Sequence, residues 1–405
     1  MISKKDISFI QPSRNNLKYL KQAYHSIRKN SEHPHEICMS DDFSDDGTWD
    51  WMNEIVKKDK NVQIHRNNGP ERLGHTILYD TLVDMATNDR VMIFHADMYL
   101  CPNADKEIDK YLEPGKVVSL TRIEPPLHPP GPEKVLIDFG IEPEEFDEQG
   151  LLDFIEEDGQ GEDKVTDGIF APWCIMKDDF TRIHGHDPLY APQSKEDSDI
   201  FNRFMLAGYE FIQTWQGYVY HMTCRGSRFK DGAKRNPDGK VFMKNRESDE
   251  WLTQNMKSTR NFIRKWGSMV NHNEYLKPII APKYDIGLLV NNCSYELLHT
   301  LEPYCNQIYL ENDRYFQDYL NSEGPNSGYD LSPKLLTRAT KPLNDVLIEF
   351  DAKELNQDNW RIFLQFPNIL EESGEPNSDF ILDIFKIKIK LLDNQVDLLV
   401  NSVQK

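Results

Sequence analysis

The sequence has no apolar run approaching the roughly 20 residues that cross a bilayer, and its start, MISKKDISFI, lacks the long apolar core of a signal peptide. We therefore expect no transmembrane segment and a cytoplasmic location. The six cysteines show no CxxC pair and no metal-finger spacing, which predicts reduced, buried side chains. Basic residues number only 47 against 67 acidic ones, and the net charge of −20 excludes nucleic acid or an anionic membrane as the main partner.

Strands and helices alternate up to about residue 121, a pattern that predicts an α/β fold with a mainly parallel sheet. The predicted strands lie at 7–10, 36–40, 62–64, 91–94 and 116–121. The helix at 17–29 has Asn15 or Asn16 as its predicted cap, the next has Ser44 or Asp45, and a third covers 76–85. A chain of 405 residues favours two domains over one.

The second half of the chain changes character. Residues 138–167 hold thirteen acidic side chains against one lysine, which favours a solvated, partly ordered insertion over a site. Regular structure is predicted to return as strands at 168–176 and 209–214 and helices at 196–207 and 248–266. Residues 271–282 are the predicted linker, and 283–405 form a smaller α/β domain with strands at 286–290, 307–310 and 346–350.

Polar side chains follow the apolar run of the segment VMIFHADMYL (91–100). If the strand continues, His95 and Asp97 point to one face and Ala96 to the other. Residues 11–15 and 40–46 also follow predicted strands, and ligands of open parallel sheets bind beyond the carboxyl ends of the strands. Because a buried carboxylate without a partner is costly, acidic residues at these strand ends predict a ligand crevice.

Five segments carry a resemblance to a known family. ISFIQPSRNN, SDDFSDDGT, IFHADMYLCP and HGHDPLYAPQSKEDSDIFNRFMLAG are similar, in this order, to the motifs of family 2 glycosyltransferases with the GT-A fold. Tyr220-His221 lies where many members have a late histidine. The resemblance covers about residues 6–222, and each motif is weak alone but specific in combination.

The resemblance implies a GT-A domain at 1–270, with a mainly parallel mixed sheet flanked by helices. Its nucleotide-sugar half is expected at about 1–121 and its acceptor half at about 168–270. The implied activity is inverting, metal-dependent transfer of a sugar from a nucleotide-diphosphate sugar to a hydroxyl of a glycan or glycoconjugate. The donor-binding residues that it implies are Pro12, Ser13, Arg14, Asn15, Asp41, Asp42, Arg72, His95, Ala96 and Asp97.

The metal that the resemblance implies is Mn²⁺ or Mg²⁺, with Asp97 as the first ligand. His95 departs from the family by replacing the first Asp of the Asp-x-Asp motif. Imidazole suits Mn²⁺ better than Mg²⁺, so the replacement favours Mn²⁺. His95 could instead touch ribose or bound water, and His221 could complete the metal site, contact phosphate or be structural.

Asp197 is the predicted general base, and Glu196 is predicted to orient the acceptor. The alternative is that both acids only complement the amino-terminus of a helix. Residues 225–244, with glycines as hinges, are predicted to form a lid whose Arg225 and Arg228 contact the diphosphate, or else a mobile solvated loop.

Two further departures leave the substrates open, since Phe43 replaces a glycine of the base-binding turn and His186 replaces an aromatic residue. A non-catalytic module that binds a nucleotide-sugar or a glycan is an alternative function. A nucleotidyltransferase is a second alternative, but Gln11–Asn15 is not the Gly-rich basic loop that such enzymes usually have after the first strand.

Overall fold

The computed structural model describes residues 5–158, 163–226 and 228–396 of the chain. The chain divides into two compact units. The first is the part up to Gln254 together with His272–Pro278, and the second is Asn255–Asn271 together with the part from Ile279 on. The boundaries predicted at 270 and 283 remain a prediction, because compactness alone does not define a domain.

The N-terminal unit is built on a mixed sheet with strand order β3-β2-β1-β4-β9-β6-β10-β5. Strands β1 to β4 run parallel to one another, and β9 lies antiparallel between β4 and β6. The strands are β1 Ser8–Ser13, β2 Glu36–Asp42, β3 Val62–Asn67, β4 Arg90–Ile93, β5 Met98–Leu100, β6 Lys116–Glu124, β7 Lys134–Leu136, β8 Val165–Thr166, β9 Trp173–Met176, β10 Glu210–His221, β11 Lys234–Arg235 and β12 Val241–Phe242. Its helices are α1 Leu17–Asn30, α2 Thr48–Lys58, α3 Gly74–Met85, α4 Ala104–Tyr111, α5 Glu148–Asp158, α6 Lys177–Arg182 and α7 Glu196–Leu206, and α8 Asp249–Trp266 belongs to the second unit from Asn255 on.

The C-terminal unit has a sheet with strand order β15-β14-β13-β16-β18-β17, in which the first four strands are parallel. Its strands are β13 Ile286–Asn291, β14 Gln307–Leu310, β15 Leu335–Thr337, β16 Val346–Asp351, β17 Ser378–Leu382 and β18 Phe385–Ile389. Its helices are α9 Tyr295–Leu301, α10 Phe316–Glu323, α11 Gln357–Leu364 and α12 Phe366–Ser373. These two sheets confirm the predicted fold class, a mainly parallel mixed α/β sheet with a smaller second α/β region. None of the helices in the described ranges is long and apolar enough to span a membrane.

Burial follows the sequence pattern closely. All six residues of β1 and all seven of β2 are buried, as expected for strands covered on both faces. The six cysteines are buried, as predicted.

Asn16 is the N-cap residue of α1, as predicted, but its side chain makes no capping hydrogen bond, and the cap predicted for α2 was wrong because its N-cap residue is Gly47. Asp46 bonds to the start of both helices: its Oδ2 accepts a hydrogen bond from the Leu17 amide at 2.9 Å and its Oδ1 accepts one from the Thr48 amide at 3.1 Å. A single carboxylate therefore satisfies the amino-termini of α1 and α2, which the sequence assigned to separate neighbours.

Two predicted segments also differ from the structure. The strand predicted at 168–176 covers only Trp173–Met176. The acidic insertion was predicted to be partly ordered, and its described residues include α5, whose Leu151 is fully buried. Leu151 and Phe154 pack in one apolar cluster with Tyr99, Tyr218 and Tyr220 of the sheet, a contact that net charge does not reveal. Residues 159–162 of the insertion lie outside the described part.

Candidate active site

A cavity of about 780 Å³ opens at the carboxyl ends of the parallel strands of the N-terminal unit. Such crevices are where open α/β sheets bind ligands. The predicted site residues that line it are Pro12, Ser13, Arg14, Arg72, His95, Ala96, Asp97, Glu196, Asp197, His221, Arg225 and Arg228.

The sheet brings three possible metal ligands together. One ligand atom from each of His95, Asp97 and His221 lies within 4.8 Å of the others. β10 pairs antiparallel with β5, and this register sets His221 opposite Met98. As a result, Nε2 of His221 lies 3.4 Å from Oδ1 of Asp97. The strand alternation predicted for His95 and Asp97 was wrong, because β4 ends at Ile93 and a turn, in which the Met98 amide bonds to the His95 carbonyl, places both residues.

The pKa values of the three side chains of this cluster differ. Burial lowers the pKa of His95 to about 3, which leaves an imidazole lone pair available. Burial opposes the charge of Asp97, but the neighbouring His221 outweighs it and lowers the pKa of Asp97 to about 2. Burial also opposes a charged His221, yet Asp97 and Glu124 raise its pKa to about 9, so that His221 has to release a proton before its nitrogen can bind a metal. The two imidazoles and the carboxylate lie close enough to form a donor set for a divalent cation that displaces this proton.

Glu124, at the end of β6, holds the other side of His221. Its Oε1 lies 3.1 Å from Nδ1 of His221, and it is 1% exposed. Arg122 and Lys134 each lie 3.4 Å from this carboxylate. Burial raises the pKa of Glu124, but Arg122, His221 and Lys134 outweigh burial and lower the pKa well below its usual range. A carboxylate that accepts from the far nitrogen of a histidine fixes the orientation of the ring.

Glu196 and Asp197 begin α7 on another wall of the cavity. The residues before them, Ser194 and Lys195, have φ values of 80° and 72°, a left-handed conformation that costs non-glycine residues about 1–3 kcal/mol and is concentrated at functional sites. Burial raises the pKa of both acids, and the charge of Asp197 adds to the shift at Glu196.

Glu196 and Asp197 both lie in the first turn of α7, where the helix dipole favours acidic side chains. Glu196 accepts hydrogen bonds from backbone amides, including that of Ser194, and its Oε2 has no partner among the described residues. The carboxylate of Asp197 forms no hydrogen bond or ion pair within the described parts of the chain and lies on the cavity lining. Both interpretations of the two acids, as base and acceptor contact or as a complement to the helix amino-terminus, stay predictions.

Arg14 and Arg72 supply positive charge beside the end of β1. Arg72 donates to Oε1 of Gln193 at 2.8 Å and lies 3.7 Å from Asp42, so its guanidinium is held in place. Arg14 is half-buried on the cavity wall and has no hydrogen bond or ion pair to any residue that the structure describes. A free cation in an acidic protein is a candidate contact for phosphate.

Three predicted donor residues do not line the cavity. Asn15 bonds the turn after β2, through Ser44 and the Asp45 amide. Asp41 accepts from the Ser44 amide at 3.0 Å and is fully buried. Asp42 accepts from the Leu73 and Gly74 amides and from Asn67, so that its carboxylate supports the start of α3. Their place in donor binding stays a prediction.

The two predicted lid arginines differ in their surroundings. Arg225 bonds the Ile141 carbonyl and lies 3.1 Å from Glu142. Arg228 pairs with Glu247 at 2.9 Å and lies 4.4 Å above the ring of Trp251. Both side chains are thus already partnered, and the predicted lid contains Ser227, which lies outside the described residues.

The fold and this site define a class: an α/β protein that sets a candidate cation site beside a candidate base at the ends of its strands. Residues 8–170 match the family model described as glycosyl transferase family 2, which confirms the predicted family for this part of the chain. No curated protein sequence matches the chain.

Solved structures with some likeness to the chain include three glycosyltransferase structures. One is GalNAc-T7 with UDP, GalNAc and Mn²⁺, at 14% identity and a TM-score of 0.43, covering 63% of this chain and 48% of that one. Another is S. aureus TarS 1–349 in complex with UDP, at 16% identity and a TM-score of 0.37, covering 53% of this chain and 60% of that one. The third is the mannosyltransferase PcManGT from Pyrobaculum calidifontis in complex with GDP-Man and Mn²⁺, at 16% identity and a TM-score of 0.39. The likeness covers 54% of this chain and 58% of that one. The chain thus spans between 48% and 60% of the length of these proteins.

Proposed function

We propose that the chain is an inverting, divalent-cation-dependent glycosyltransferase. It would move a sugar from a nucleotide-diphosphate sugar to a hydroxyl of a glycan or glycoconjugate. The observation that carries the proposal is that the cluster of His95, Asp97 and His221 shares one cavity with the acids Glu196 and Asp197. The family match over 8–170 supports the same activity.

The donor set fits a divalent cation. Asp97 is ionised, His95 is neutral, and His221, which Glu124 orients, would offer its nitrogen once the cation displaces its proton, so the three side chains can supply two nitrogens and one oxygen. This mixed set favours Mn²⁺ over Mg²⁺, which prefers oxygen ligands. When bound, the cation supplies positive charge to the leaving diphosphate as a Lewis acid.

The remaining positive charge comes from the chain itself. Arg14 and Arg72 lie on the cavity wall, and we assign them to the diphosphate of the donor together with the backbone of Pro12 and Ser13. Because the whole protein carries a charge of −20, a cation and these arginines are needed locally to attract a diphosphate.

Asp197 is assigned as the general base. It would take the proton from the acceptor hydroxyl while that oxygen attacks the anomeric carbon and the bond to the leaving phosphate breaks. A single displacement of this kind inverts the configuration of the sugar. Burial raises the pKa of Asp197, which makes its carboxylate a better base than an exposed one. Glu196, whose pKa is raised further, holds a proton beside it and can donate a hydrogen bond to the acceptor.

A thermal-shift screen tests donor binding. Purified protein with Mn²⁺ is heated with UDP-, GDP-, dTDP- and CMP-sugars, and the correct donor should raise the melting temperature by mass action. A flat response to all of them contradicts the proposal.

The variant Asp197→Asn then separates the enzyme from a non-catalytic module that binds a nucleotide-sugar. It should keep the thermal shift with the donor but lose about 10²–10⁴-fold in transfer rate, the usual contribution of a general base. Transfer at the wild-type rate would remove Asp197 from the mechanism, and binding without transfer in the wild type would favour the module.

A further inference from the structure

Tyr79, on α3, is a buried aromatic residue with an unused hydroxyl. The residue is 2% exposed and lines the cavity. Its hydroxyl forms no hydrogen bond to any residue within the described ranges. The ring is buried, but the hydroxyl is not among the polar atoms sealed from solvent without a partner, so it opens to the cavity, where water or a ligand can pair with it. A partner for Tyr79 is therefore expected among the ligands of the cavity.

The ring of Tyr79 lies near both chemical groups of the site. It is 5.5 Å from the ring of His75, which in turn is 6.4 Å from the ring of His95 in the cation cluster. It also lies 5.4 Å from the ring of His186. The carboxylates of Asp97 and Asp197 are both close enough to influence the phenol.

The surroundings fix both the protonation and the position of this phenol. Burial and the carboxylates of Asp197, Glu196 and Asp97 raise the pKa of Tyr79 well above its usual value, so the group stays protonated and can donate. His186 is itself locked, since its Nδ1 lies 2.7 Å from Asp80 and its amide donates to the same carboxylate at 2.9 Å. The hydroxyl is thus presented by rigid neighbours on a helix.

We propose that the hydroxyl of Tyr79 donates a hydrogen bond to a hydroxyl of the transferred sugar and so helps to select that sugar. The inference rests on the proposed function. In that function the diphosphate faces the cation cluster and the acceptor faces Asp197, and the sugar ring occupies the space between them. Tyr79 is a neutral donor on the cavity lining that has no hydrogen-bond partner among the described residues, and Arg14, the free cation of the lining, is already assigned to the diphosphate.

The test measures two affinities by isothermal titration calorimetry in the presence of Mn²⁺. The probes are UDP and GDP, and then UDP-glucose, UDP-N-acetylglucosamine and GDP-mannose. The variant Tyr79→Phe removes one oxygen atom and leaves the ring. We expect it to bind the nucleoside diphosphate within about twofold of the wild type but the matching nucleotide-sugar about five- to tenfold more weakly, the effect of one neutral hydrogen bond.

A matched control is Tyr209→Phe, which also removes a phenol hydroxyl, one that lies 3.1 Å from Asp179 and away from the cavity lining. It should leave both affinities unchanged. The melting temperature of Tyr79→Phe should be unchanged or higher, because the hydroxyl has no protein partner to lose; a lower one would indicate a structural role and overturn the inference.

The outcomes separate the two proposals. Equal nucleotide-sugar affinity in Tyr79→Phe and wild type overturns the role of Tyr79 and leaves the glycosyltransferase proposal intact. Equal weakening of the diphosphate and of the nucleotide-sugar also overturns it, because the contact would then be to the nucleotide. A wild type that binds none of the probes overturns the proposed function and this inference with it.

Discussion

The two units both bury clusters of ionisable side chains, but they complete these clusters differently. In the C-terminal unit, Glu302 and Glu323 are buried against Arg260 and Arg264, and Arg264 donates to both acids. Lys334 and the Tyr319 hydroxyl fill the remaining positions around Glu302. In the N-terminal unit, Asp97 has only His221 as a charged partner within the described chain, and Asp197 has no such partner.

This difference separates a structural cluster from a ligand site. Buried charges are tolerated when each is paired and hydrogen-bonded, and the arginines meet that condition in the C-terminal unit. The cavity cluster leaves acidic groups unpaired beside a space of about 780 Å³. The missing partner is expected to be the cation and the substrate, so removing an acid should cost stability in one unit and chemistry in the other.

The largest effect is expected for Asp97→Asn. Loss of the charged cation ligand should remove several kcal/mol of transition-state stabilisation, or about 10³-fold in transfer rate at 1.4 kcal/mol per factor of ten. The assay is transfer of sugar from the donor found by thermal shift. Asp84→Asn, at an exposed position near the end of α3 and outside the cavity lining, is the control. Activity within tenfold of wild type in Asp97→Asn would contradict the assignment.

Glu302→Gln should act on stability instead. Removing the charge takes away one of the two acidic partners of buried Arg264 and the partner of half-buried Lys334, which is expected to lower the free energy of unfolding of the C-terminal unit by about 3 kcal/mol. Urea denaturation followed by circular dichroism measures this change. The exposed Glu354→Gln should change stability little. A Glu302→Gln variant with the stability of the wild type would mean that the C-terminal cluster does not stabilise the fold and so does not differ in this way from the cavity cluster.

A smaller effect is expected for Glu124, which touches the cation only through His221. Glu124→Ala should weaken Mn²⁺ binding by about 10–100-fold, as is usual for carboxylates that orient a metal-binding histidine. Glu133→Ala is the matched control, because Glu133 lies 3.7 Å from Lys134 and 4.0 Å from Arg122, the same cations that surround Glu124. Equal Mn²⁺ affinities in the two variants would show that the contact with His221 does not matter.

The smallest effect is a pH dependence of the C-terminal cluster. Burial alone would raise the pKa of Glu302, but Lys334 and Arg264 outweigh it and lower it to about 2. A carboxyl group whose pKa is lower in the folded state stabilises the fold. This stabilisation is complete at pH values above the pKa in the unfolded state, near 4.5, and is lost as the pH falls toward 2. The gap in melting temperature between wild type and Glu302→Gln should therefore shrink between these pH values. A gap that widened on acidification would contradict the sign.

Local patterns predicted much of this molecule. Apolar runs located β1, β2, β4 and β13, and the polar residues that follow them led to His95 and Asp97. The motif order also led to His221, but the reason for its position was not visible. It meets Asp97 because β10 continues past Thr214, pairs with β6 on one side and receives β5 on the other.

Three residues of the site escaped prediction for physical reasons. Arg122 and Glu124 lie on β6, which runs three residues beyond its predicted end at Thr121. Tyr79 is a buried apolar ring in the helical pattern of α3, and only the absence of a hydrogen-bond partner marks it as more than core. Partners across strands depend on register, which single-sequence patterns do not specify.

The most direct test of the account is the number of Mn²⁺ ions bound per chain, measured by electron paramagnetic resonance with UDP or GDP present. The cluster of His95, Asp97 and His221 predicts one bound ion in the wild type and none in Asp97→Asn at the same free concentration. A wild type without bound Mn²⁺, or a variant that binds it equally well, would contradict the claim that these side chains await a cation.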